Sequence, residues 1–105
     1  MARNRALGAA TVAILRAVRD GYRFGLDIMD ATGLPSGPVY PTLARMENRA
    51  FLDSEWEDDA TARADGRPRR RYYRLTPEGA RALAEALERF GLIADSSAAA
   101  PEGAG

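Results

Sequence analysis

The chain is 105 residues long, 46% hydrophobic and 29% charged, the size and balance of one small soluble domain whose core a second subunit could help to complete. It contains neither cysteine nor histidine, which excludes disulfides, thiolate nucleophiles, Cys-type zinc sites and the usual proton shuttle, so no enzyme, cofactor or metal centre is expected. The net charge is zero but segregated: residues 51–62 carry five acids and no base, residues 63–75 six arginines and one acid, and a polyanion responds to such local fields rather than to their sum.

Leu7, Ala10, Ile14, Leu15 and Val18 recur at helical spacing and Gly21 closes the run, predicting a first helix. A second, shorter helix is expected from about Phe24 to Thr32, with Ile28 and Met29 inward, Asp27 and Asp30 outward, and Gly33 at its end. After the Leu34-Pro35 turn, Ser36 or Gly37 caps a third helix. Its first turn tolerates Pro38, because the amide that proline lacks would be unpaired there anyway. Val39, Leu43 and Met46 form the buried stripe of this helix, while Thr42, Arg45 and Arg49 point elsewhere.

From Phe51 the period changes to two. Leu52, Ser54 and Trp56 alternate with Asp53, Glu55 and Glu57, the pattern of a half-exposed strand. Residues 58–68 are polar and broken by Gly66 and Pro68, and read as a loop. Arg69–Leu75 alternates again, with Arg71, Tyr73 and Leu75 on one face and Arg70, Tyr72 and Arg74 on the other, completing a long-looped hairpin. Thr76-Pro77-Glu78 combines a cap, a first-position proline and an acid at the positive end, and starts a last helix. There Ala80, Leu83, Leu87, Phe90 and Ala94 form a narrow heptad-like seam suited to a partner helix. Residues 95–105 read as a disordered tail. No stretch approaches the roughly 18–20 apolar residues of a membrane span, and no cleavage site follows the first helix. A cytoplasmic protein without a membrane partner is expected.

The order helix, helix, helix, hairpin, helix is that of a winged helix-turn-helix domain, mainly α with a small β-hairpin. Gly37-Pro38-Val39-Tyr40-Pro41-Thr42-Leu43-Ala44-Arg45-Met46-Glu47 resembles the recognition-helix signature of PadR-family transcriptional regulators. Gly66-Arg67-Pro68-Arg69-Arg70-Arg71-Tyr72-Tyr73-Arg74-Leu75-Thr76-Pro77-Glu78-Gly79 is similar to that family's wing running into its C-terminal helix, and Phe24-Gly25-Leu26-Asp27-Ile28 resembles its second-helix start. The resemblance spans roughly residues 7–90. It implies a dimeric DNA-binding regulator, often a repressor, released in some members by a small-molecule effector. The chain then divides into an arm at 1–6, a winged-helix DNA-binding domain at 7–75, a dimerisation helix at 76–94 and the tail. Ala50 stands where the family usually has a glycine, and a single helix follows the wing, as in short members.

On such a fold the third helix enters a major groove, which makes Ser36, Gly37 (through its amide), Tyr40, Thr42, Arg45 and Arg49 the candidates there. The first and second of these, with Tyr40, sit where amides and a hydroxyl suit phosphate oxygens; Tyr40 could instead pack in the core and Arg45 pair with an acid. Arg67, Arg69, Arg70 and Arg71 would arm a hairpin tip able to enter a minor groove or straddle the backbone. The competing role is a basic loop neutralised by the preceding acids, with Asp58 and Asp59 folded back on it. Leu83, Leu87 and Phe90 are the dimerisation candidates, against packing on their own domain. Trp56 reads as a packing residue of the wing, and Glu55, Glu57, Asp58 and Asp59 as a solvated face. The expected function is a sequence-specific DNA-binding repressor that grips a pseudo-palindromic operator as a homodimer. A winged-helix protein-interaction module without DNA binding is the alternative, favoured by the acidic strand and the balanced charge.

Overall fold

Three helices, α1 (Ala9–Arg19), α2 (Gly25–Thr32) and α3 (Ser36–Asn48), precede strand β1 (Leu52–Trp56), a short helix α4 (Asp59–Ala64), strand β2 (Arg71–Leu75) and helix α5 (Pro77–Arg89). This computed structural model describes residues 7–91, so Arg3 and Arg5 of the arm, Ala94 of the seam and the tail lie outside the described residues. Ile14 and Leu15 of α1, Ile28 of α2, Val39 and Leu43 of α3, Leu52 of β1 and Leu83 of α5 are almost wholly removed from solvent. Each such burial contributes roughly 1.5–3 kcal/mol. Because these side chains meet in one cluster, the helices and the base of the hairpin are fixed to each other.

The seam read on α5 is rotated from its expected use. Gly79, Leu83 and Ala86 form the buried face and pack on the chain's own core, so Leu83 is not available to a second subunit. Leu87 is half-buried against the same core, and Phe90 stands exposed. The start of α5 is as expected. The Thr76 hydroxyl accepts from the Gly79 amide at 2.9 Å and Pro77 takes the first helical position. The same hydroxyl donates to the Ala50 carbonyl at 2.7 Å, tying the end of α3 to the start of α5.

That end of α3 is closed by two paired bonds, Phe51 N to Met46 O at 2.9 Å and Ala50 N to Glu47 O at 3.0 Å. This arrangement requires a left-handed residue just after the helix. The residue is Ala50, at φ +65°, where a side chain costs roughly 1 kcal/mol that glycine would not. At the other end the cap reading is corrected. Pro35 holds the N-cap position, Ser36 is already helical, and no side chain caps the turn.

Strands β1 and β2 pair antiparallel, with Leu52 opposite Leu75 and Trp56 opposite Arg71. The Tyr73 amide donates to the Arg23 carbonyl at 2.8 Å, which holds the segment before α2 along the edge of β2. The loop expected at 58–68 is instead largely helical. Asp58 caps α4 by accepting from the Thr61 amide at 3.2 Å, Ala62 is buried, and Gly66 at φ +68° turns the chain out of the helix. The wing is therefore strand, helix, strand.

Candidate nucleic-acid interface

The buried stripe of α3 fixes what its other side can present. With Val39, Leu43 and Met46 inward, Ser36, Gly37, Tyr40, Arg45 and Arg49 are exposed. The amides of Ser36 and Gly37 have no carbonyl one turn before them within the helix, and a Cβ on Gly37 would meet nothing within 4 Å, so the backbone there is open to close approach. The Tyr40 ring lies over Gly25, in the space that a Cβ at that position would need. Arg45 reaches back along the helix, its Nη2 donating to the Thr42 hydroxyl at 3.1 Å. The Arg49 guanidinium sits 4.7 Å above the Phe51 ring.

Thr42 does not join them. It is 4% exposed, three residues after Val39 on the inward stripe, so the expectation that it faces a groove is corrected. Its hydroxyl serves Arg45 instead.

The four candidate arginines of the wing divide into one that builds the loop and three that present their cations on its surface. Arg67 forms a two-pronged bridge to Glu57, Nη1 to Oε1 at 2.6 Å and Nη2 to Oε2 at 2.8 Å, with a further contact to Asp65 at 3.0 Å. Glu57 also accepts from the Arg70 amide at 3.1 Å, while its own amide donates to the Arg70 carbonyl at 2.7 Å. The hydrogen bonds from Arg67 hold the Glu57 carboxyl at about 2, below its usual 4.5, against the opposing pull of burial. Arg67 is thus engaged inside the wing rather than projecting from it, and Glu57 belongs to that clamp rather than to a solvated face. The alternation that sends Glu57 outward ends with the strand at Trp56.

Arg69 and Arg71 flank Trp56, their guanidinium carbons 5.0 and 5.1 Å from its ring centroid. The Arg70 guanidinium lies 4.0 Å over Phe24, which meets Tyr72 edge-on at 5.7 Å. Asp59 does fold back, to 3.5 Å from Arg69, but both side chains are largely exposed and such pairs are weak. Trp56 is half-exposed and carries cations, so the reading of it as a packing residue is corrected. Burial pushes the Tyr73 phenol above its ordinary range.

One polar relay joins the helix to the wing. Ser54 Oγ donates to Glu47 Oε2 at 2.7 Å and accepts from Arg71 Nε at 2.9 Å, and Arg71 Nη2 lies 3.4 Å from the same carboxylate oxygen. Glu47 was not a candidate in the sequence. Its signals are its place at the end of the segment that resembles the family's recognition helix and its position one residue after the inward Met46. Tyr40 of α3 and the arginine side of the wing meet in a cleft of about 320 Å³, to which Trp56 and Arg67, Arg69, Arg70 and Arg71 also contribute. Among the described residues no cluster of metal-ligating side chains occurs, and no helix is long and apolar enough to cross a membrane.

Residues 14–85 match the sequence model of the transcriptional regulator PadR-like family. Solved structures with the same fold include a PadR family transcription regulator from Clostridium difficile R20291, with 23% identity over 87% of this chain and 96% of that one and a TM-score of 0.70. A PadR-like transcriptional regulator from Bacillus cereus aligns with 21% identity over 87% of this chain and 89% of that one, at a TM-score of 0.65. The Bordetella bronchiseptica protein BpsR, whose DNA binding is regulated by 6-hydroxynicotinic acid, aligns with 23% identity over 97% of this chain and 69% of that one, at a TM-score of 0.69. At these identities the structural likenesses establish the fold. Comparison with curated proteins gives no match.

Proposed function

The chain belongs to the PadR-like family of transcriptional regulators, and from that premise we propose that it is a repressor which binds a pseudo-palindromic operator as a homodimer. Members of this family regulate transcription and are not enzymes. The observation that carries the reading is the cleft in which Tyr40 of α3 meets the wing arginines. In the complex α3 lies in the major groove, with Arg45 and Arg49 toward base edges and Ser36, Gly37 and Tyr40 toward phosphates. Arg69, Arg70 and Arg71 take the flanking backbone or minor groove, and Arg67 holds their loop in shape.

Two copies meet through the surface beside α5, where Ala9, Ala13 and Arg16 of α1, over the buried Val12, form a groove with the exposed Phe90. Half-sites then lie about 10 bp or more apart, centre to centre. A protein that covers both grooves denies that stretch to other proteins, so occupancy itself represses. A small-molecule effector that releases the DNA is compatible with this design, as 6-hydroxynicotinic acid regulates DNA binding by BpsR.

Selection of bound duplexes from random-sequence DNA by the purified protein tests the proposal. Enrichment of a two-fold symmetric motif supports it. Passage through a heparin column at low salt, with no enrichment, would instead identify a protein-interaction module.

A further inference from the structure

Trp56, Tyr40 and Leu26 are large apolar side chains, 51%, 45% and 64% exposed, and all three line the cleft between wing and helices. Apolar groups gathered round one concavity mark a surface that something covers. The chemistry of the occupant follows from the charge. Four arginines line the same cleft and no acid does; Glu47, Glu57, Asp59 and Asp65, which pair with Arg67, Arg69 and Arg71, stand outside the lining. Two of the guanidiniums are held against the Trp56 ring, which keeps the cations at defined places on an apolar platform. Tyr40 belongs both to this lining and to the exposed side of α3, so the cleft continues the helix face. That continuity suits a polymer better than a compact molecule.

We infer that Trp56 is a direct DNA contact. The sugar–phosphate backbone of one strand lies in the cleft between Trp56 and Tyr40, its phosphate on Arg69 and Arg71 and its deoxyribose against the indole ring. The inference rests on the DNA-binding reading above and names the part of the duplex that this cleft receives. It also gives Trp56 two tasks, contacting the sugar and presenting two cations, so its loss lowers affinity for all sequences rather than changing which one is preferred.

Trp56 is the single tryptophan of the chain, so its emission reports on the cleft alone. The full chain is titrated at low salt with a dye-labelled random-sequence duplex, while dye anisotropy, tryptophan emission and acrylamide quenching are read together. The expected result is an emission change that saturates with the anisotropy, and a fall in acrylamide access of about threefold. Trp56→Ala should lose about tenfold in affinity, and Trp56→Phe, which keeps a ring for the arginines, about threefold or less; thermal melting of both variants checks that they fold. An anisotropy rise with unchanged emission and acrylamide access overturns the cleft assignment and leaves DNA binding standing. Quenching by benzoate but not by duplex would give the cleft to a small planar acid and overturn the assignment equally. No anisotropy change with any duplex overturns the DNA-binding reading itself.

Discussion

Glu57 and Arg67 grip each other by both oxygens and both terminal nitrogens at the base of the wing, and the carboxylate is only 7% exposed. The Glu57 carboxyl is held at about 2, below its usual 4.5, so its contribution to wing order is complete above about pH 4.5 and is lost as the pH falls toward 2. Hydrogen exchange at the Arg70 amide, which donates to this carboxylate, should show protection that holds at pH 5 (roughly) and falls by about tenfold or more through that window. Glu57→Gln should abolish the acid step. Because the bridge is two-pronged, Arg67→Lys should not hold the wing as Arg67 does, and protection at the Arg70 amide should fall.

Ala50 occupies a left-handed position at the end of α3. Ala50→Gly relieves the side chain of that conformation and should stabilise the fold by about 0.5–1 kcal/mol, raising the melting temperature by several degrees. Calorimetry checks it, and duplex affinity should stay unchanged.

Gly25 and Tyr40 compete for one volume. Gly25→Ala should turn the Tyr40 ring aside, costing about 1–2 kcal/mol of stability and lowering duplex affinity by about threefold to tenfold. Gly37→Ala, whose new Cβ meets nothing within 4 Å, should melt like the wild type. Thermal melts and anisotropy titrations of both variants make the comparison.

Leu83 within α5 and Phe90, the residue that caps its end, have opposite fates. Leu83→Ala leaves a hole in the core and should cost about 2–5 kcal/mol in thermal unfolding. Phe90→Ala should leave the fold of each subunit intact and weaken self-association, read by sedimentation equilibrium.

Residues whose surroundings are local were legible in the sequence. Thr76-Pro77 caps α5 because both signals act within one turn, and the alternation of Arg71, Tyr73 and Leu75 survives in β2 because a strand's period is fixed by its backbone. The resemblance to the PadR family likewise held, and with it the order of the three helices, the wing and α5. What escaped was set by packing. Thr42 lies on the inward stripe by spacing, but its polarity suggested a groove contact. Leu83 belongs to two overlapping stripes, 80–83–87–90 and 79–83–86, and only the core chooses the second. In the wing, the Asp58 cap with Thr61 three residues on and Gly66 beyond was a readable helix signature, masked by the polarity of the segment and by Pro68. The use of Glu57 to fasten Arg67 depends on a fold-back across ten residues that no periodicity records.

The face formed by α3 and the wing is tested most directly by binding isotherms across a range of salt, on a selected duplex and a scrambled one, for the wild type and an Arg69→Ala/Arg70→Ala variant. The account predicts that the double variant binds both duplexes more weakly by a similar factor, and that its dependence of log affinity on log salt is shallower by about two. In the same series Arg45→Ala should lower affinity for the selected duplex by more than for the scrambled one. Unchanged affinity and an unchanged salt slope in the wing variant would contradict it.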